Sequence, residues 1–298
     1  MAFPVPLTPQ QRELLGDISQ LYQLPALGPA TQDPTRVRFG LIADPQYADV
    51  ETDFANNLYY RHALHKLPGV IAQLNQQPLD FVVTLGDLVD RHWESYARLL
   101  PLYQQLQHPH AVVIGNHDAQ TIIEHLNDAA ALPKSYYAFR LQGWRFVFYD
   151  GNDISFYCQG EERQQAELWL ADLVAREQPQ AQPWNGAVGS QQWQWIEQQL
   201  QDAQACGEQV VVFGHYPLAP HKKHILWNGT QLAQLFSDYG VRACFAGHDH
   251  RGGYARSGNT DFITLKGMLD GPDAAPFAVV DITAESLTVT GYGGEISR

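Results

Sequence analysis

The chain is short of what disulfide-framed, membrane-spanning and polynucleotide-binding proteins need. It has three cysteines, Cys158, Cys206 and Cys244, far apart and in no Cys-x-x-Cys pair. That argues against a disulfide framework or a structural zinc site and fits a reducing compartment. Cations are scarce: 19 Lys and Arg stand against 32 Asp and Glu, a formal net charge of −13. Bulk positive potential toward a nucleic-acid polymer is therefore missing. A small phosphorylated ligand remains compatible, because a bound cation reverses the local sign. No apolar run approaches a membrane span, and Met1 to Gln20 lacks a basic start followed by an apolar stretch. The expectation is a cytoplasmic protein without signal peptide or membrane segment. With 298 residues the chain can bury a sizeable core. Twelve histidines are the one conspicuous surplus, and their placement carries the argument.

Residues 1–36 read as an extension punctuated by Pro4, Pro6, Pro25, Pro29 and Pro34, with one amphipathic helix. Thr8-Pro9-Gln10-Gln11 is a helix-start signature, and Leu14, Leu15, Ile18, Leu21 and Tyr22 share one face. The helix is expected to pack on the main body; a share in the substrate pocket or a dimer contact are the lesser alternatives. From residue 37 to 298 one domain is expected, with a less regular insert at about 151–189. Strands are expected at Phe39–Ala43, Phe81–Leu85, Ala111–Ile114, Val210–Phe213 and Arg242–Ala246, a hairpin over Tyr136–Asp150 around Gln142-Gly143, and β-like runs near 262–265, 277–281 and 287–290. Helices are expected at Asn57–Asn75 and Trp93–Leu106, with breaks at Pro68 and Pro101, near Glu161–Ala175, at Ser190–Gln204 with Ser190 as the cap, and at Thr230–Tyr239.

Five of the strands end in metal-competent side chains. They present Asp44 with Gln46, Asp87 with Asp90, Asn116 with His117 and Asp118, His215, and His248 with His250. If the strands shared one sheet, these groups would meet along one rim. Each residue alone has a plainer reading: Asp44 and Asn116 as turn formers, Asp90 as a helix cap, a lone buried histidine as a satisfied core group. Five strand ends carrying the same chemistry outweigh those readings. Carboxylate, amide and imidazole donors without thiolates suit Mn, Fe or Zn. Asp87 offers two oxygens and is the natural bridge between two ions roughly 3.5–4 Å apart. The expected reaction is in-line displacement at phosphorus.

In this order Asp-x-Gln, Gly-Asp-x-x-Asp, Gly-Asn-His-Asp, Gly-His and Gly-His-x-His resemble the motifs of calcineurin-like metallophosphoesterases. The resemblance implies an α/β sandwich of two sheets flanked by helices, with a dinuclear metal site at the strand ends. One ion would take Asp44, Asp87 and His250, with Gln46 nearby; the other Asp87, Asn116, His215 and His248. His117, held by Asp118, would protonate the leaving group or grip the phosphate. Asp-x-His is usual at the first motif, and here Asp44-Pro45-Gln46 departs from it. With Tyr47-Ala48-Asp49, Tyr59-Tyr60-Arg61-His62, Tyr136-Tyr137-Ala138 and Asn185-Gly186, the chain is similar to the manganese-dependent ADP-ribose/CDP-alcohol diphosphatases. That implies two divalent ions, Mn²⁺ first, and hydrolysis of a nucleotide pyrophosphate bond. A 3′,5′-cyclic nucleotide phosphodiesterase is the alternative enzyme, and a scaffold that lost its chemistry the alternative class.

A small nucleoside diphosphate derivative needs charge compensation, a flat surface and polar reach. Arg61 and His62 are candidates for the phosphate that is not attacked, and Tyr47 for stacking on the base or closing the pocket. His224, in the basic cluster of His221, Lys222 and Lys223, is a further substrate candidate. Trp184-Asn185 and Trp227-Asn228 are aromatic-amide pairs, read first as packing and turn residues. Oligomeric state is not legible.

Overall fold

The computed structural model describes residues 8–23, 35–126 and 135–298; the rest of the N-terminal extension lies outside them. Two sheets face each other. The first takes β1 (Arg36–Ile42), β2 (Phe81–Thr84), β3 (His110–Val112), β12 (Phe277–Thr283) and β13 (Leu287–Tyr292) in the order β13-β12-β1-β2-β3. The second takes β4 (Tyr137–Leu141), β5 (Trp144–Phe148), β8 (Gln209–Phe213), β9 (Ala243–Ala246), β10 (Arg251–Ser257) and β11 (Thr260–Lys266) in the order β10-β11-β9-β8-β5-β4. A ribbon of β6 (Ile154–Ser155) and β7 (Gly186–Ala187) lies in the insert.

Alternation along the strands explains the layers. Val37, Phe39 and Leu41 point between the sheets, where Phe39 and Phe81 stack at 5.1 Å and meet Phe146 and Phe213 of the second sheet edge-on. Ring edges against ring faces add attraction beyond area burial. The opposite faces carry Ile42, Val82 and Val112 on one sheet and Val147, Val210 and Val212 on the other. Helices α1 (Pro9–Leu21), α2 (Ala63–Asn75), α3 (Glu94–Tyr103) and α4 (Asn116–Leu126) join the first set; α6 (Ser190–Cys206) and α7 (Gly229–Asp238) join the second. Helix α5 (Gly160–Ala175) packs within the insert, where Ile154, Ala166, Leu173 and Trp227 form a small separate core. The arrangement is a four-layered α/β sandwich. No helix among the described residues is long and apolar enough to cross a membrane.

β1, β2 and β3 run parallel, as do β5, β8, β9 and β11. Parallel strands put their carboxyl ends on one side, so the chain leaves both sheets toward a common rim.

Local differences from expectation have local causes. Pro68 and Pro101 lie inside α2 and α3 without breaking them. Helix α2 starts at Ala63, after a single tight turn at Tyr60–His62, because residues 49–58 form a loop pinned by the Asp53–Leu58 bridge. Gly189 caps α6, not Ser190, and its amide is held by the Asp153 carboxylate at 2.8 Å. Strand β10 escapes the reading because Arg251-Gly-Gly-Tyr-Ala-Arg-Ser has no apolar alternation and lies on an exposed edge. Helix α4 escapes it because its first turn reads as a strand end.

Candidate metal centre

The site is built from two halves. The first sheet delivers Asp44, Gln46, Asp87 and Asn116; the second delivers His215, His248 and His250. The strand ends therefore do not share one sheet; facing sheets bring them together. Asp44, Gln46, Asp87 and His248 all have positive φ, 50°, 45°, 51° and 65°, conformations that non-glycine residues adopt rarely. Backbone strain is concentrated where the donors are aimed. Two glycines make room. A Cβ on Gly115 would lie 2.0 Å from Asp87 Oδ1, and one on Gly86, itself at φ 94°, would lie 2.6 Å from His215 Nδ1.

The imidazole nitrogens can be assigned from what they face. His215 Nδ1 lies 2.7 Å from the Leu85 carbonyl, which only accepts, so Nδ1 carries a hydrogen. Its Nε2 faces Asn116 Oδ1 at 3.0 Å and Asp87 Oδ2 at 3.2 Å. Asn185 is fully buried and spends its amide hydrogens on the Gln180 and Lys223 carbonyls, at 3.1 and 2.7 Å. Its Oδ1 then accepts from His248 Nε2 at 3.1 Å, leaving His248 Nδ1 for the cluster. His250 Nδ1 is held by Asp270 Oδ1 at 2.7 Å, so Nε2 faces Asp44, 3.9 Å away. A ring nitrogen fixed by an outer acceptor is the usual preparation of a metal-binding histidine.

Donor atoms of Asp87, His215 and His248 all lie within 4.8 Å of one another, and all three residues are buried. Electron pairs so close repel unless a positive charge lies among them. Gln46 gives the same answer. Its Nε2 donates to Asp90 Oδ2 at 3.2 Å, so Oε1 is turned away, buried and without a hydrogen-bond partner among the described residues. An orphaned buried carbonyl oxygen is costly, and a hard cation satisfies it. The residues present fit divalent metal.

Electrostatics agree. Burial pushes Asp44 up to about 6, with Asp87 adding to the rise and His250 and His215 opposing it. Burial would also raise Asp87, but His215 and His117 outweigh it and hold that carboxyl below the usual range. Burial would lower His215 and His117, yet Asp87 brings both up to about 9, with Asp44 assisting at His215 and Asp90 at His117. A cation bound at Asp87 pulls these imidazoles back toward neutrality.

One expected role moves. His117 Nδ1 lies 3.1 Å from Asp90 Oδ1, an ion-pair contact without the alignment of a hydrogen bond, so Asp90, not Asp118, is the carboxylate beside that ring. Asp118 is fully buried and accepts from the amides of Leu88, Val89 and Gly115 at 2.9, 3.2 and 3.0 Å and from Tyr96 Oη at 3.2 Å. It ties the turn after β2 to the turn before α4. Spacing gave no way to choose between two nearby carboxylates; three dimensions do.

Substrate candidates divide. The His224 ring centre lies 5.4 Å from that of His248 and 6.3 Å from Trp184, with Nδ1 buried and unpartnered among the described residues. Tyr47 is 4% exposed, packed in the core with its backbone bridged to Val89, and offers no ring face to a ligand. Arg61 spends its guanidinium on Asp49 and Glu51, at 2.6 and 2.7 Å, in an exposed loop. His62 Nδ1 is bound to the Pro272 carbonyl at 2.7 Å. Asn185 serves His248 instead of a base, and Asn228 bridges both backbone groups of Val188.

Sequence reasoning missed Asp270, the work of Asn185, and Lys66. The Lys66 ammonium is buried and donates to the carbonyls of Met268, Asp270 and Gly271 at 2.7, 3.3 and 2.6 Å, fixing the loop that carries Asp270. No motif spacing marks these residues, since each is brought in from a distant helix or loop.

Comparison with known proteins follows the same lines. A manganese-dependent ADP-ribose/CDP-alcohol diphosphatase of Arabidopsis thaliana is 29% identical, over 89% of this chain and 96% of that protein. Proteins of the same description from Bos taurus and Homo sapiens are 28% and 25% identical, over 86% of this chain in each case and 91% and 90% of theirs. The crystal structure of a dimetal phosphatase from Danio rerio superposes with a TM-score of 0.78 at 23% identity, covering 89% of this chain and all but 1% of that one (99%). The family model of calcineurin-like phosphoesterase matches residues 37–252. That span runs from β1 past His250 and contains every donor that the two sheets bring to the rim, so this chain belongs to the calcineurin-like phosphoesterase family.

Proposed function

We propose that the chain hydrolyses the pyrophosphate bond of small nucleoside diphosphate derivatives in the cytoplasm. ADP-ribose would give AMP and ribose 5-phosphate; a CDP-alcohol such as CDP-choline would give CMP and the phospho-alcohol. The observation that carries this reading is the convergence of Asp87, His215 and His248, together with the unsatisfied buried oxygen of Gln46. The names of the relatives and three free cysteines support it.

Asp44, Asp87 and His250, with Gln46, would hold one Mn²⁺; Asp87, Asn116, His215 and His248 would hold the other. Two such ions, when bound, neutralise phosphoryl oxygens and lower the pKa of the attacking water. The chain does the rest. His117, with Nδ1 3.1 Å from Asp90 Oδ1 and its side chain 31% exposed, would present Nε2 to the departing oxygen. Its backbone amide donates to Asp87 Oδ1 at 2.9 Å, so acid and carboxylate move as one unit. Lys223, whose ammonium lies 5.3 Å over the Trp184 ring, supplies positive charge, and His224, which burial holds below the ordinary imidazole range, offers a neutral ring beside it. A cavity of about 300 Å³ beside α4, lined by Gln120, Ile123, Phe156, Tyr157, Pro183 and Trp184, offers the flat aromatic walls that a base requires.

Incubation of the Mn²⁺-loaded protein with ADP-ribose, CDP-choline and cAMP in parallel tests the proposal. Either diphosphate substrate is expected to turn over at least about tenfold faster than cAMP. Preference for cAMP would replace this reading with the cyclic phosphodiesterase. No bindable metal together with no esterase activity would replace it with a scaffold.

A further inference from the structure

The N-terminal helix lies outside the span matched by the family model, residues 37–252, yet it packs against α3 and β3. Leu14, Ile18 and Tyr22, four residues apart, are the buried residues of its inner face. They join the core that holds Tyr96, Leu99 and Tyr103 of α3. Apolar packing would be satisfied by Leu or Phe at position 22. Instead the chain buries a phenol there, 1% exposed, with Tyr22 Oη 3.1 Å from Tyr96 Oη. A buried hydroxyl without a purpose costs stability.

The proton order follows from chemistry. Asp118 Oδ1 already accepts from the Leu88 and Val89 amides, and Tyr96 Oη, 3.2 Å away, donates its single hydrogen to the same oxygen. Tyr22 must then donate to Tyr96. Asp118 in turn gathers the amides of Leu88, Val89 and Gly115. Those amides belong to the two turns that aim Asp87 and Asn116. A chain of hydrogen bonds polarises its members, so the first hydroxyl strengthens the grip of the last acceptor.

We propose that Tyr22 is a positioning residue: through Tyr96 and Asp118 the N-terminal helix sets the two turns that carry Asp87 and Asn116. The inference rests on the metal reading for its effect on ion binding, but the bracing of the turns stands apart from it.

Three full-length proteins decide it: wild type, Tyr22→Phe, which removes one oxygen and keeps the packing, and Leu14→Ala, which loosens the same helix face without touching the relay. Hydrogen exchange is followed on the metal-free proteins, and Mn²⁺ binding is then measured by calorimetry. Tyr22→Phe is expected to speed exchange at Leu88, Val89 and Gly115 by about tenfold, and to weaken Mn²⁺ binding by about threefold to tenfold, less than loss of a group touching a ligand directly. Leu14→Ala is expected to lower the melting temperature while leaving both readouts near wild type. Unchanged exchange in Tyr22→Phe, or equal changes in Leu14→Ala, would overturn the relay. A wild-type protein that binds no Mn²⁺ would overturn the metal reading instead, with exchange still deciding the relay.

Discussion

The two halves of the centre are held in different ways. On the first sheet the donors are two carboxylates and two side-chain amides, and backbone amides brace the carboxylates, His248 N on Asp44 at 3.1 Å and His117 N on Asp87 at 2.9 Å, while three more gather on Asp118 behind them. On the second sheet the donors are imidazoles, each steered by one distant acceptor: Leu85 O, Asn185 or Asp270. A carboxylate needs hydrogen-bond donors to stay charged when buried; an imidazole needs only its far nitrogen fixed. The first half therefore depends on turn geometry, the second on single side chains. Damage to the first should abolish the site, whereas damage to the second should loosen it.

The largest effect is expected at Asp87. Asp87→Ala removes the carboxylate both ion sets share, and calorimetry should find no tight Mn²⁺ binding, with turnover down roughly a thousandfold or more. Asp270→Asn, on the other half, keeps the shape and loses the charge behind His250. Mn²⁺ affinity is expected to fall about tenfold to a hundredfold with the fold intact; no change would show that His250 needs no steering. Asp90→Ala should lower kcat by about tenfold to a hundredfold, loosen the Gln46 amide that Asp90 also holds, and shift the basic limb of the pH–rate profile downward, because Asp90 raises His117. If Asp118→Asn shifts that limb and Asp90→Ala does not, the orienting carboxylate has been misassigned.

A smaller effect concerns stability away from the metals. Burial lowers His110 to about 3, while its Nε2 sits 2.8 Å from Thr84 Oγ1 and its ring stacks on Tyr103 at 4.7 Å. Below the unfolded value near 6.5 the unfolded chain binds a proton that the folded chain refuses, so stability is full above about pH 6.5 and falls with pH toward 3. Denaturant melts should show a loss of about 1.4 kcal/mol per pH unit attributable to this group, absent in His110→Phe. The smallest effect is expected at Arg61, already paired with Asp49 and Glu51: Arg61→Ala should change kcat/KM by less than about twofold.

Much of this was legible in the sequence because parallel strands write their ends as motifs. Phe81-Val82-Val83 followed by Gly86-Asp87 names a buried strand, a turn and a donor within seven residues. The Gln142-Gly143 hairpin reads equally well, since both residues take positive φ, 50° and 79°, as a two-residue turn demands. Tyr47 misled because adjacency along the chain does not fix direction: Gln46 turns to the rim and the next side chain turns into the core. Arg61 misled because its partners Asp49 and Glu51 fold back on it from a loop.

The sequence by itself determined the donor chemistry, the order of the strands that carry it, and hence the family. Those are properties of short contiguous stretches, where backbone geometry and side-chain type are linked locally. Only the tertiary structure decided which acceptor steers which imidazole, that Asp90 rather than Asp118 lies beside His117, and that Tyr22 ends a chain of hydrogen bonds at the Asp87 and Asn116 turns. A hydrogen bond between groups tens of residues apart has no sequence signature, because its length is set by how two sheets and their helices pack, to a fraction of an ångström.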